Sequence, residues 1–183
     1  NDYWLVSSRR CKGRDRDAGN NCCLSFFHSP QDKVILPVER QAFLGTVNPA
    51  VPVCFVIHGS YNRWSDVTRE SRRIHHWIRS GCNGAPVQVV FFTWPSDGNM
   101  PFLFPVDIAV LGRRSSLHGL YLAQLIAELP PEVRVSLIGH SHGARVAVSA
   151  LHLLGGGQIE DGRHLAGPAI PHRIRASLLA PAL

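Results

Sequence analysis

The segment from Val133 to Leu154 constrains this chain more than any other. An apolar run, Val133-Arg134-Val135-Ser136-Leu137-Ile138, leads into Gly139-His140-Ser141-His142-Gly143, and a largely apolar helical stretch from Ala144 to Leu154 follows at once. A β-strand that turns into a helix over five residues needs a tight bend. The two glycines mark where a side chain would collide with the neighbouring strand or helix. The serine at the apex is then held in a strained backbone conformation with its hydroxyl above the sheet. The free N–H groups and positive dipole end of the following helix favour negative charge beside it. Ser141 is therefore the candidate nucleophile of an acyl-transfer site. The competing reading is a Gly-rich turn with a capping serine, and the flanks and spacing favour the nucleophile.

The rest of the chain supplies a scaffold for such a bend. Val51-Pro52-Val53-Cys54-Phe55-Val56-Ile57 is a continuous apolar stretch ending in His58-Gly59, as expected of a parallel strand buried on both faces. A helix is predicted next. Ser65 is its expected N-cap, Val67, Ser71, Ile74, Trp77 and Ile78 its inward stripe, and Gly81 its stop. A second core strand runs through Val87-Gln88-Val89-Val90-Phe91-Phe92-Thr93-Trp94 and halts at Pro95-Ser96-Asp97-Gly98. A Pro-rich loop with Pro101 and Pro105 precedes a helical stripe of Leu117, Tyr121, Leu122, Leu125, Ile126 and Leu129. Gly155-Gly156-Gly157 ends the helix after the bend, and Ile174 to Ala180 reads as a fourth strand. Strand and helix alternate from Val51 onward. The fold class is accordingly α/β, a mostly parallel sheet with helices on both faces. Residues 1–50 read as leading strands (Tyr3 to Val6, Val34 to Val38) and loops at the sheet edge, with a loop over Lys12 to Asn21, and residues 51–183 as the core. A dinucleotide-binding sheet fits less well, because neither Gly59 nor Gly139 belongs to a G-x-G-x-x-G turn.

His58-Gly59-Ser60-Tyr61 closes the first core strand. A parallel sheet brings that strand end beside Ser141, on the carboxyl edge where such sheets bind ligands. Ser60 is the candidate donor of one oxyanion-hole N–H, and the backbone N–H of His142 the other. His58, Gly59, Tyr61 and His140 are expected to line the pocket.

Phe55-Val56-Ile57-His58-Gly59, Phe92-Thr93-Trp94-Pro95-Ser96, Leu137 to Val146 and Leu178-Leu179-Ala180-Pro181-Ala182 resemble, in order, motifs of the α/β-hydrolase superfamily. More narrowly, the set is similar to bacterial esterase/lipase-like serine hydrolases, over about Val51 to Leu183. The resemblance implies hydrolysis of carboxylic esters or related acyl bonds through an acyl-enzyme on Ser141, without a cofactor or metal. It also implies an acid and a histidine following the serine in chain order.

Two features depart from that pattern. His142 stands where relatives often carry methionine, glutamine or leucine. An adjacent residue in this turn is aimed poorly at its neighbour's hydroxyl, so His142 is read as a pocket lining and not as the base. The second departure is the acid–base pair. After Ser141 the carboxylates are Glu160 and Asp161, and the histidines His142, His152, His164 and His172. His152 is expected on the buried helix, and the others except His142 in a Gly/Pro-rich crossover. Asp97 reads as a turn former. The partners are therefore expected beyond Leu183, and both ends of the chain read as cut. A binding module built on an impaired hydrolase fold, or an acyltransferase, uses the same residues.

A net charge of +6 over 183 residues raises the question of an acidic partner. The arginines are spread through the chain, so they read as solvated faces and no nucleic-acid site is expected. The partner is instead a small-molecule ester. No apolar run approaches the roughly 20 residues that cross a bilayer. Five cysteines, Cys11, Cys22, Cys23, Cys54 and Cys82, leave the disulfide pattern and the compartment open, with the cytoplasm favoured. Cys54 reads as a core residue.

Overall fold

The computed structural model describes residues 2–11, 23–98, 104–160, 162–166 and 172–182. The expected loop over Lys12 to Asn21, as well as Cys22, Pro101, Phe102, Leu103 and Asp161, lies outside them. Seven strands form one sheet: β1 (Tyr3–Ser7), β2 (Ser25–Ser29), β3 (Leu36–Val38), β4 (Val53–Ile57), β5 (Gln88–Thr93), β6 (Val135–His140) and β7 (Ile174–Leu179). Their order is β3-β2-β1-β5-β4-β6-β7. The five strands β1, β5, β4, β6 and β7 are parallel, while β2 and β3 are antiparallel to their neighbours.

Among the described residues four α-helices cover the sheet: α1 (Arg40–Leu44), α2 (Trp64–Gly81), α3 (Phe104–Ala127) and α4 (His142–Leu154). The side-chain period of a strand divides the core in two. Val90 and Phe92 of β5 join Trp4 and Val6 of β1 in the larger cluster, under α3 and α4. Val89 and Phe91 face the other way with Tyr3 and Leu5, packed against Val67 of α2. Both faces of the central strands are thus largely apolar, which is why they read as mostly hydrophobic runs. Among the described residues no helix is long and apolar enough to cross a membrane.

Several expectations need correction. The leading strands are not all at the edge. β1 lies inside the sheet, paired with β5 in the register Ser7↔Thr93, and only β3 is an edge strand on that flank. Helix α2 starts one residue before Ser65: Asp66 accepts the Arg63 N–H at 2.9 Å, so the carboxylate at the third helical position closes the helix start. Its buried face is Val67, Ser71 and His75, whereas Trp77 is 65% exposed beneath the Arg73 guanidinium. The rest of the expected stripe packs inward, with Ile74 and Ile78 against the cluster of Tyr3, Leu5, Val67, Val89 and Phe91, and the buried His75 has its Nδ1 2.9 Å from a carboxylate oxygen of the buried Asp32. Helix α3 begins at Phe104, so residues 104–112 are helical and not loop. Pro105 is compatible with this because the first turn of a helix needs no intrahelical N–H. His152 lies on α4 but is exposed, near the Gln158 carbonyl oxygen at 3.1 Å. Finally, Cys11 and Cys23 form a disulfide, while Cys54 and Cys82 are free, Cys54 being buried.

Candidate active site

The bend between β6 and α4 has the geometry that its glycines require. Ser141 adopts φ 54°, ψ −126°, a backbone conformation that a residue with a Cβ occupies only under constraint. The constraints are visible on every side. The Ser141 N–H donates to the Leu179 carbonyl of β7 at 2.9 Å, and its own carbonyl accepts the Ala144 N–H at 2.9 Å. A Cβ on Gly139 would lie 2.7 Å from both Ala144 Cα and Gly143 O. One on Gly143 would overlap the carbonyl oxygens of Ile57 and His58. The first turn of α4 therefore rests directly on the backbone of β4 and β6.

The end of β4 meets this bend. Gly59 is so close that a Cβ there would sit 3.1 Å from Ser141 Cβ and 2.9 Å from His140 Nδ1. Ser60 Oγ and His142 Nδ1 are 2.6 Å apart, a hydrogen bond joining the two backbone segments. His142 is buried, and burial, followed by the charge of Arg145, lowers its pKa, so its ring is neutral. As the first helical residue, His142 has a backbone N–H with no intrahelical acceptor. The Tyr61 N–H is committed to the Ser96 carbonyl at 2.7 Å. Asn62 Nδ2 donates to both the Gly59 and Ser60 carbonyls, at 3.2 and 3.0 Å, which turns those oxygens to one side of the loop.

The remaining sequence-derived residues are placed as follows. His58 is held by its own strand neighbours: Nδ1–H donates to the Gly59 carbonyl at 2.8 Å, and Nε2 accepts from Thr93 Oγ1 at 2.9 Å and the Trp94 N–H at 3.3 Å. These contacts suit only the neutral ring, and burial lowers its pKa to about 4. Tyr61 is half exposed at φ 60°, with its hydroxyl hydrogen-bonded to Asp107 of α3. His140 is exposed beside Gly59. Among the described residues no histidine or carboxylate hydrogen-bonds the Ser141 hydroxyl, and no group of three or more His, Cys, Asp or Glu is arranged to hold a metal ion.

Reading the sequence did not anticipate Arg9. Its guanidinium donates from Nε to Thr93 Oγ1 at 2.9 Å, from Nη1 to Asp97 at 2.7 Å and from Nη2 to the Asn62 carbonyl at 2.5 Å. It ties the ends of β1, β4 and β5 together below the loop that carries Ser60. No local pattern marks this residue, because its partners lie 53 to 88 positions away. Asp97, read as a turn former, is thus also the carboxylate partner of that clamp.

A mostly parallel sheet covered by helices, with a strained serine between a central strand and the helix after it, defines an α/β hydrolase. The chain belongs to the family described as alpha/beta hydrolases of unknown function (DUF900), whose model matches residues 41–181. No curated protein and no solved structure matches the chain significantly.

Proposed function

We propose that this protein is a serine hydrolase acting on carboxylic esters or related acyl bonds, with Ser141 as nucleophile. The observation that carries the reading is the positive φ of Ser141. A strained non-glycine residue over-determined by two glycine contacts and a strand-end hydrogen bond is stability spent on placing one hydroxyl.

In the proposed step Ser141 Oγ attacks the ester carbonyl carbon and gives up its proton to a general base. The carbonyl π electrons move onto oxygen. That oxyanion is met by the backbone N–H groups of Ser60 and His142, held in place by the Ser60–His142 hydrogen bond. Collapse of the tetrahedral species breaks the bond to the alcohol, which leaves with the proton, and water then cleaves the acyl-enzyme by the same route. The reading takes the base to be a histidine outside the described contacts of Ser141. No cofactor enters the reaction.

The test uses the full-length protein. A fluorophosphonate probe should label the wild type and not Ser141→Ala, and that substitution should lower ester hydrolysis by about 10³-fold or more. An unlabelled wild type, or labelling that persists in Ser141→Ala, would overturn the reading. The first outcome would leave the fold as a binding module, and the second would assign the nucleophile to another residue.

A further inference from the structure

A cavity of about 570 Å³ opens between α3 and α4 next to the bend, with His142 and Ala182 on its near side. Its two walls differ in chemistry. On the α3 side Val106, Ile108 and Val110 line it, and each is 38–49% exposed although large and apolar. On the α4 side stands Arg145, with Arg113 across from it. His142 and Arg145 are three residues apart and so share a helix face, and helical side chains lean toward the N-terminus, here toward Ser141.

Arg145 is aimed but only lightly used. Its Nε donates to Ser116 Oγ at 3.1 Å, which fixes the plane of the guanidinium. It lies against Gly112, where even an added Cβ would reach only ordinary contact, 3.4 Å from Nη1. Among the described residues the carboxylate paired with it is Glu160, 66% exposed, 3.8 Å from Arg145 Nη2 and 3.8 Å from Arg113 Nε. Those separations exceed a direct hydrogen bond, and an exposed, loosely held counterion is displaced at little cost. Among the described lining residues two guanidinium groups stand against one carboxylate, an excess of positive charge. A guanidinium fork is matched by a planar carboxylate, which accepts two parallel N–H bonds.

We infer that this cavity receives the acid-terminated arm of an anionic ester, with the arm's methylenes against Val106, Ile108 and Val110 and its carboxylate on Arg145. The inference rests on the reading of Ser141 as nucleophile and narrows its substrate class to monoesters of dicarboxylic acids.

Two measurements on the full-length protein decide it. The first compares mono-4-nitrophenyl adipate with its neutral methyl ester. The wild type should favour the anion by about tenfold or more in kcat/KM, as expected for a charge-assisted hydrogen-bonded pair. Arg145→Gln should bring that ratio close to one. The exposed substitution Glu160→Gln, which removes the competing carboxylate, should raise it. The second titrates the non-hydrolysable adipate monoamide into Ser141→Ala by calorimetry, where binding should weaken about tenfold in the Arg145→Gln background and fall with salt.

Equal kcat/KM for the two esters with no monoamide binding overturns this inference and leaves Ser141 as nucleophile. Monoamide binding lost in Arg145→Gln, with no hydrolysis of either ester, keeps the cavity assignment and removes the role of Ser141. A ratio that neither Arg145→Gln nor Glu160→Gln moves also overturns it. So does a monoalkyl phosphate that binds more tightly than the monoamide, because it would assign the site to a phosphate terminus.

Discussion

Gly139→Ala adds one methyl group at the point where β6 turns into the bend, and the structure fixes what that methyl meets. Ala144 Cα and Gly143 O would each be 2.7 Å away and Ala144 N 2.8 Å, whereas ordinary contact starts near 3.4 Å. The shortfall is about 0.7 Å against three backbone atoms. None of them is the end of a flexible side chain. The first turn of α4 must therefore shift, and Gly143 behind it already abuts the Ile57 and His58 carbonyls. Overpacking of this kind costs about 2–3 kcal/mol. For a chain of this size that corresponds to a fall in Tm of roughly 5–10 °C. The same shift moves Ser141 relative to Ser60, and on the proposed function a misplacement approaching 1 Å lowers turnover by up to about 10²-fold. Gly81→Ala is the matched control, since nothing lies within 4 Å of its Cβ position at the end of α2. It should be neutral or stabilising by about 0.5 kcal/mol. Calorimetric melting of both variants, with fluorophosphonate labelling rates, makes the comparison. A Gly139→Ala protein that melts within about 1 °C of the Gly81→Ala control and labels at the wild-type rate refutes the steric account of the bend.

Two further outcomes follow from groups around the site. His58 and His118 are both held neutral by burial, with pKa lowered to about 4 and about 3 from 6.5, so the unfolded chain binds more protons than the folded one below pH 6.5. Stability is then fully present above pH 6.5 and is lost as pH falls toward 4, by about 1.4 kcal/mol per pH unit for each histidine. Denaturant titrations at pH 7, 6 and 5 measure the slope, and His118→Gln should lower it by one histidine's share, about 1.4 kcal/mol per pH unit; a slope that the substitution leaves unchanged contradicts the buried neutral ring. The Cys11–Cys23 disulfide closes a loop of 12 residues and restricts the unfolded chain by about 3 kcal/mol in the loop-entropy treatment. Reduction, or Cys23→Ser, should lower Tm by roughly 6–12 °C, and a melt insensitive to reductant contradicts the link.

What the sequence made legible divides by the range of the interactions involved. The strands β4, β5 and β6 announce themselves because both faces are covered by helices, so apolar residues fill most of their positions and polar ones such as Gln88 and Ser136 are few. The bend at Ser141 is legible for a related reason: its requirements fall on Gly139 and Gly143, two residues either side of the serine, and are local in sequence even though the clashes they avoid are with β4. β2 was missed because Ser25-Phe26-Phe27-His28-Ser29 mixes polar and apolar residues on a strand next to the edge. The N-terminal half of α3 shows no legible stripe because its apolar residues Val106, Ile108 and Val110 are exposed at every second position, and Pro101 and Pro105 mark the segment as a loop. Trp77 alone of the α2 stripe is exposed, and His75 is buried beside the carboxylate of Asp32, a pairing that periodicity does not register. With five cysteines, the Cys11–Cys23 pairing could not be chosen by counting.

Arg9 shows the limit most plainly. It reaches Thr93, Asp97 and Asn62 only because β1, at the start of the chain, inserts beside β5 in parallel, with Ser7 opposite Thr93. A short strand places an arginine under the loop that holds Ser60, and nothing within ten residues of Arg9 encodes that outcome. Asn62, which the same guanidinium grips through its carbonyl, draws the Gly59 and Ser60 carbonyls aside with its own amide. The geometry of the loop facing Ser141 is thus set by a residue some fifty positions upstream. The hydroxyl is specified locally and its surroundings globally, so a motif at the bend can persist in a chain whose long-range clamp is lost.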